Sequence, residues 1–258
     1  MSLVIRKWWG RLGNNIIQLR HAIQIAIYYK YDIIMPKHPY FNTTFVKFGA
    51  DKNRKNKLYD GYNFYFKHRI KKYIPYIDDK VFQLNIKDTI NKLKDILVIK
   101  NPIISDKNDL LIHIRGGDIF VTPHVQYVPP PLSYYTNILN STSYDKITMI
   151  SEDRANPVID KLLQMYPKIT FELNDLETDI KKIMGCTNII TSYGTFIPSL
   201  LSMSNTVQNI YKVSYQFGEV LINREKVNVY VTNLNRYLKR MGKWENNSVQ
   251  RDIITSYK

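Results

Sequence analysis

Three short segments carry the residue types that binding a phosphorylated ligand requires. In His113-Ile114-Arg115-Gly116-Gly117-Asp118 a guanidinium is followed directly by two glycines and then by a carboxylate. A guanidinium is a planar fork of donors that matches phosphate bidentately, and glycines behind it let backbone amides approach the same anion. Ser151-Glu152-Asp153-Arg154 supplies carboxylates, and Asp153 is placed to accept from the amino groups of a guanine edge. Ser192-Tyr193-Gly194-Thr195-Phe196 adds hydroxyl donors, with a helix opening near Phe196 whose positive end would face the same anion. Together these are the parts of a diphosphate site. Each has a plainer reading by itself: an arginine close to an aspartate is often a local ion pair, and glycines after a strand are often only a turn.

The elements that must position these segments follow from apolar periodicity. Residues 110–114 form a buried strand ending at the arginine segment, 147–150 a strand ending at Ser151, and 188–191 a strand ending at Ser192. Helical stretches at 132–139, 156–166, 176–184 and 196–203 alternate with them, and further strands follow at 169–173 and 207–211. Strands alternating with helices of this length predict a parallel sheet with crossover connections. In such sheets ligands sit where loops leave the carboxyl ends of strands, which is where all three segments fall. Nearer the start, a strand at 2–6, a Gly/Asn turn at 10–15 and a long helix carrying Ile16, Leu19, Ile23, Ala26 and Ile27 open a second Rossmann-like unit, with its next strand at 32–35 closed by Pro36. Residues 40–80 lack clean periodicity and read as loops with short elements. A weak helical pattern covers 86–97, and Asn101-Pro102 marks a hinge. The expected division is a domain over residues 1–100 and another over 101–258.

Taken in order, the motifs resemble those of the α1,2-, α1,6- and protein O-fucosyltransferase superfamily. His113 to Asp118 is similar to its HxRRxD segment, with Gly116 where the second arginine stands. Ser151-Glu152-Asp153, followed by Pro157 and a helix ending at Tyr166-Pro167, resembles its (S/T)DD loop, and Asp179 through Cys186 to Phe196 resembles its third motif. Gly10-Arg11-Leu12-Gly13-Asn14-Asn15-Ile16-Ile17-Gln18 is similar to the GxLGNQxxQ opening of bacterial α1,2-fucosyltransferases. Pro130 to Tyr135 is like the acceptor-side segment that often follows the arginine motif. The resemblance covers residues 10–30 and 110–205.

The resemblance implies an α/β, GT-B-like fold with two Rossmann-like domains whose parallel sheets face a cleft. It implies an acceptor-side first domain and a second domain that binds the nucleotide sugar. It also implies an inverting transfer, no metal, no cofactor beyond the donor itself (GDP-fucose first), and a glycan hydroxyl as acceptor. By matching positions, His113 contacts the nucleotide, Arg115 the β-phosphate and Asp153 the base. Ser192, Tyr193, Gly194, Thr195 and Phe196 hold phosphate, ribose and guanine, while Gly13, Asn14 and Asn15 face the diphosphate. With glycine at 116, either the donor differs from GDP-fucose or another cation, Arg11 or Arg154, supplies the charge.

The reaction class sets further demands. Negative charge develops on the β-phosphate as the glycosidic bond breaks, and Arg115 is the expected donor there. Asp78-Asp79 lies in a basic stretch away from the motifs and reads as surface, not as a metal-holding pair. The acceptor hydroxyl must lose a proton; Asp118 is the candidate base closest to Arg115, with an ion-paired supporting role as its other reading, and His124 is a second candidate. Cys186 reads as a small core hydrophobe. Trp8 and Trp9 read either as acceptor-cleft lining or as core, and His21, His38 and His68 show no metal-ligand spacing.

Composition narrows the classes. The chain has 258 residues with 44% hydrophobic and 23% charged, the balance of a globular enzyme. The net charge of +15 is uneven: residues 47–100 carry fourteen basic and six acidic side chains, whereas 101–200 carry eight basic and eleven acidic. The basic stretch thus lies outside the motif-bearing segment, which favours a solvated surface or an electrostatic lure for an anionic donor over a polynucleotide groove. The apolar run at 3–5 is broken by Arg6 and Lys7, no later run is long enough to span a membrane, and the single cysteine requires no oxidising compartment, so cytoplasm is the expected location. The alternatives to fucose transfer are transfer of another deoxyhexose such as rhamnose, a nucleotide-sugar binder without turnover, or a nucleic-acid binder using residues 47–100.

Overall fold

In a computed structural model the described residues are 1–48, 58–60, 64–216, 218–221 and 227–258. Much of the lysine-rich stretch, including Lys52 to Lys57, lies outside them. The chain divides into two compact units, one made of Met1–Lys100 with Pro198–Met203 and Glu219–Asn223, the other of Asn101–Ile197, Ser204–Gly218 and Arg224–Lys258.

In the first unit, strand β1 (Ser2–Val4) leads through a glycine turn into helix α1 (Leu12–Tyr29), then β2 (Asp32–Ile34), β3 (Phe45–Val46) and β4 (Leu58–Asp60), followed by helices α2 (Lys67–Tyr73) and α3 (Ile86–Ile96). The sheet order is β3-β2-β1-β4. The β2, β1 and β4 strands are parallel, but β3 is antiparallel to β2, a departure from the all-parallel expectation. The cause is the short connection through residues 35–44, which is a hairpin-like return and too brief for a crossover; Met35 N donates to Thr44 O at 2.9 Å to close it. Helix α1 is buried from Leu12 to Ala26, apart from Asn14. It stops where Lys30 turns left-handed (φ 57°) and its N–H donates to Ala26 O.

The second unit runs β5 (Asp109–Ile114), α4 (Asp118–Val121), α5 (Leu132–Ser141), β6 (Lys146–Ser151), α6 (Val158–Met165), β7 (Ile169–Glu172), α7 (Leu176–Gly185), β8 (Asn188–Ile190), the start of α8 (Phe196–Leu201), whose residues from Pro198 onward belong to the first unit, β9 (Asn209–Val213), β10 (Asn228–Thr232), α9 (Asn235–Met241) and α10 (Ser248–Ser256). Its six strands are all parallel, in the order β10-β9-β8-β5-β6-β7. Counted from β5, the chain winds outward on one side through β6 and β7, then returns to β5's other flank and winds outward through β8, β9 and β10. That is the doubly wound order of dinucleotide-binding folds, and its reversal point is the crevice between β5 and β8.

Sequence chemistry explains these elements. Leu110, Leu111, Ile112 and Ile114 are all buried, as a central parallel strand covered on both faces requires. Helix α7 starts on Asp175, whose side chain accepts from Thr178 N at 2.7 Å, and carries Glu177 and Asp179 in its first turn, both favourable at a helix N-terminus. The C-terminal segment locks onto the same core. Trp244, fully buried, donates from Nε1 to Ile119 O at 2.7 Å and meets Phe120 edge-on at 5.6 Å, so the short α4 is held from below.

Candidate active site

The doubly wound unit places two of the three motif segments on either side of its reversal point. Arg115 to Gly117 leave the carboxyl end of β5, and Ser192 to Thr195 leave the carboxyl end of the adjacent β8. The third, Ser151 to Asn156, leaves β6 on the other flank of β5.

Arg115 is at the centre. Its Nη2 donates to both oxygens of Asp118, at 3.2 and 3.1 Å, and its Nη1 reaches Tyr193 O at 3.5 Å, the outer limit of a hydrogen bond. The guanidinium lies over the Tyr127 ring, 4.6 Å from its centroid, a contact worth roughly 0.5–2 kcal/mol depending on how dry it is. Arg115 thus has the local ion pair of the plainer reading. The pair is nevertheless open: the side chains are 20% and 41% exposed, and a guanidinium has five N–H groups to offer.

The loop that carries Arg115 is clasped from the β6 loop. The Asp153 carboxylate accepts from Gly117 N at 3.1 and 3.0 Å and from Ala155 N at 3.0 Å. Asn156, buried, donates from Nδ2 to Arg115 O at 3.0 Å and accepts from Val158 N at 3.1 Å. Both glycines lie tight against side chains of the β6 loop. A Cβ at Gly116 would stand 2.2 Å from Asp153 Oδ1, and Gly117 adopts φ 58°, ψ −121°, a conformation open essentially to glycine.

Across the reversal point His113 Nδ1 is 2.8 Å from buried Ser192 Oγ. Burial, aided by the neighbouring Arg115 charge, pushes the His113 pKa down to about 3, so the imidazole is neutral near pH 7 and cannot compete with Arg115 as a cation. Tyr193 stacks on Tyr215 and leans on Tyr127, both at 5.6 Å, and burial pushes its hydroxyl up to about 12. Gly194 (φ 137°) lies against the guanidinium, where a Cβ would come within 2.9 Å of Arg115 Nη1, and its carbonyl accepts from Gln216 Nε2 at 2.6 Å. Phe196 opens α8, 6.2 Å from the His113 ring and tilted to it. At six residues α8 is a short helix, and the anion contacts available here are side chains and loop amides rather than a long dipole.

The remaining sequence candidates take these places. His124 is exposed beside Tyr127. Arg154 pairs with Asp160 on the surface. Tyr134 and Tyr135 of α5 are core side chains, with Tyr134 donating to Thr191 O at 3.2 Å. Cys186 is buried, with its thiol pushed up to about 12 by burial. In the first unit, Asn15 is buried and donates to Trp9 O at 3.0 Å while accepting from His38 Nε2 at 3.1 Å. Gln18 accepts from Trp9 N at 2.7 Å and donates to Lys7 O at 3.2 Å. Gly13 offers its carbonyl to Ser199 Oγ at 3.2 Å. The Asn14 side chain fills the space above Gly10, its Nδ2 2.4 Å from where a Gly10 Cβ would stand. Trp8 packs edge-on against His38 and Phe41, and Trp9 is largely exposed. Asp78 and Asp79 are exposed, the first bonded to Lys80 N and the second paired with Lys71 at 2.7 Å. No three metal-ligating side chains gather among the described residues, and no helix among them is long and apolar enough to cross a membrane.

Sequence reasoning missed Tyr127, Asn156 and Gln216. Nothing local marks them, because each acts on a backbone or side chain that is 12, 41 or 22 positions away in the chain.

No family model and no curated protein sequence matches the chain. Among solved structures it is similar to a fucosyltransferase, NodZ from Bradyrhizobium, at 10% identity over 79% of this chain and 92% of that one, with a TM-score of 0.43. A NodZ alpha-1,6-fucosyltransferase soaked with GDP-fucose aligns at 9% identity over 81% and 93% of the two chains, with a TM-score of 0.42. At these values the likeness carries neither donor nor activity to this chain.

Proposed function

We propose that the protein is a glycosyltransferase that moves a sugar from a nucleoside diphosphate to a glycan hydroxyl, with inversion and without a divalent metal, and that fucose from GDP-fucose is the donor. The supporting observation is the partly exposed Arg115 side chain at the carboxyl end of β5, beside the reversal point of a doubly wound parallel sheet. His113, Asp153 and the stretch Ser192, Tyr193, Gly194, Thr195 and Phe196 complete the donor-binding set that the motif resemblance implies. The motif resemblance also implies a donor-facing role for Gly13, Asn14 and Asn15.

In the transfer, the acceptor oxygen forms a bond to the anomeric carbon from the face opposite the leaving group. The bond from that carbon to the β-phosphate oxygen breaks, and its electron pair stays on the phosphate. Arg115 stabilises the charge that grows there, so it acts most strongly in the transition state. The hydroxyl proton passes to a base, for which Asp118, held 3.1 Å from Arg115 and open to solvent, is the assigned residue. The same carboxylate keeps the guanidinium oriented when no donor is bound.

The test is release of nucleoside diphosphate from GDP-fucose in the presence of candidate glycans, with and without EDTA. Activity is expected to be insensitive to EDTA, and Arg115→Ala to lower turnover by ~10²-fold or more, the usual cost of losing one preorganised transition-state donor. Full activity in Arg115→Ala would refute the assignment.

A further inference from the structure

Position 153 was assigned from the motif pattern to the donor's base, yet its carboxylate is already engaged. A carboxylate has about four lone-pair sites. Asp153 Oδ1 accepts from both Gly117 N and Ala155 N, and Oδ2 shares the Gly117 N–H, at 3.0 to 3.1 Å throughout. A guanine edge presents two adjacent N–H donors, which suit a carboxylate with both oxygens open. Asp153 has one oxygen filled and the other turned toward the arginine loop. Gly116 sits under the same carboxylate, where a single added carbon would come within 2.2 Å of Oδ1 and 3.2 Å of Ser151 Oγ. Asp153 as placed and an arginine at 116 are therefore mutually exclusive.

We infer that Asp153 is a positioning residue that pins the Arg115–Gly117 loop for the donor's diphosphate, and that this clasp, not the base, is what position 153 serves. The inference rests on the proposed diphosphate role of Arg115. Holding Gly117 N on one carboxylate and Arg115 O on Asn156 fixes the backbone on both sides of Gly116, so the guanidinium is presented from a loop that has little freedom left to lose on binding. The second cation of the related motif is replaced by rigidity around the first. It follows that base discrimination does not pass through residue 153.

The experiment uses the full chain and three probes: GDP, inosine diphosphate, which lacks the 2-amino group, and inorganic pyrophosphate, which has no base. In Asp153→Ala all three affinities are expected to fall by a similar factor of about tenfold, the scale of one charge-assisted hydrogen bond. The ratio of GDP to inosine diphosphate affinity should stay within about twofold of wild type, and Asp153→Asn, which keeps one acceptor oxygen, should recover part of the loss. Unchanged pyrophosphate affinity with a collapsed GDP preference would overturn the inference and make Asp153 a base reader.

A second measurement needs no nucleotide. Gly116→Ala is expected to lower the melting temperature by several degrees in the wild-type background and by much less in Asp153→Ala, and the Gly117 amide should exchange faster in Asp153→Ala. Additive melting losses together with unchanged Gly117 exchange would also overturn the clasp. If wild type binds none of the three probes while this coupling appears, the proposed function fails and the clasp stands.

Discussion

The turn after β1 and the loop after β5 solve one problem in two ways. Both are irregular segments at the carboxyl end of a parallel strand, and both must satisfy backbone groups that no ladder serves. After β1 the turn is tied by its own downstream helix: Asn15 and Gln18 of α1 reach back to Lys7, Trp9 and Gly10, and both amides are buried in doing so. After β5 the ties come from a neighbouring loop, Asp153 and Asn156, so the loop's own polar side chain is spared. The consequence is chemical. In the first case the Asn15 and Gln18 amides hold the turn; in the second the guanidinium is not used to hold its own loop and stays partly exposed to a ligand.

That contrast can be sharpened first through stability. Asn15→Ala removes the bond to Trp9 O and strands the His38 nitrogen, and is expected to cost about 2–3 kcal/mol, read as a lowered urea midpoint with the m-value unchanged. A loss under about 0.5 kcal/mol would mean the amide is not the tie that holds the turn.

The smaller effect is pH-dependent and sits on the β5 side. His113 is held neutral, with a folded-state pKa of about 3 against an unfolded value near 6.5. Between those values the unfolded chain binds the extra proton, so stability is highest above pH 6.5 and falls as pH drops toward 3. For a half-buried ring the expected loss is on the order of 2 kcal/mol by pH 4. His113→Gln should flatten the urea midpoint between pH 7 and 4 relative to wild type; parallel profiles would place the acid sensitivity elsewhere, for instance at buried His21, which burial and Arg20 also shift down.

What the sequence disclosed tracks how locally each feature is encoded. The strands β5 to β9 and the helices α5 to α8 lie close to the stretches read from apolar runs, because a strand buried on both faces and a helix with one apolar stripe leave marks in consecutive residues, whereas the four-residue α4 was not read. Strand β10 left no such mark, since Asn228 to Val231 are exposed and show no alternation. The antiparallel β3 is two residues long, below any period. The site followed the same rule. Arg115, Gly116 and Asp118 are adjacent in the chain and were legible as a motif. The reason for glycine at 116 was not, because the group that excludes a side chain there belongs to Asp153, in a loop after the next strand.

The central claim is that Arg115 meets the diphosphate of an activated sugar, and ligand-induced stabilisation tests it most directly. A nucleoside diphosphate at a hundred times its dissociation constant should stabilise the wild-type chain by ~2.7 kcal/mol, seen as a raised melting temperature. The account expects Arg115→Ala to lose most of that rise at the same ligand concentration, and an equal rise in both proteins would contradict it.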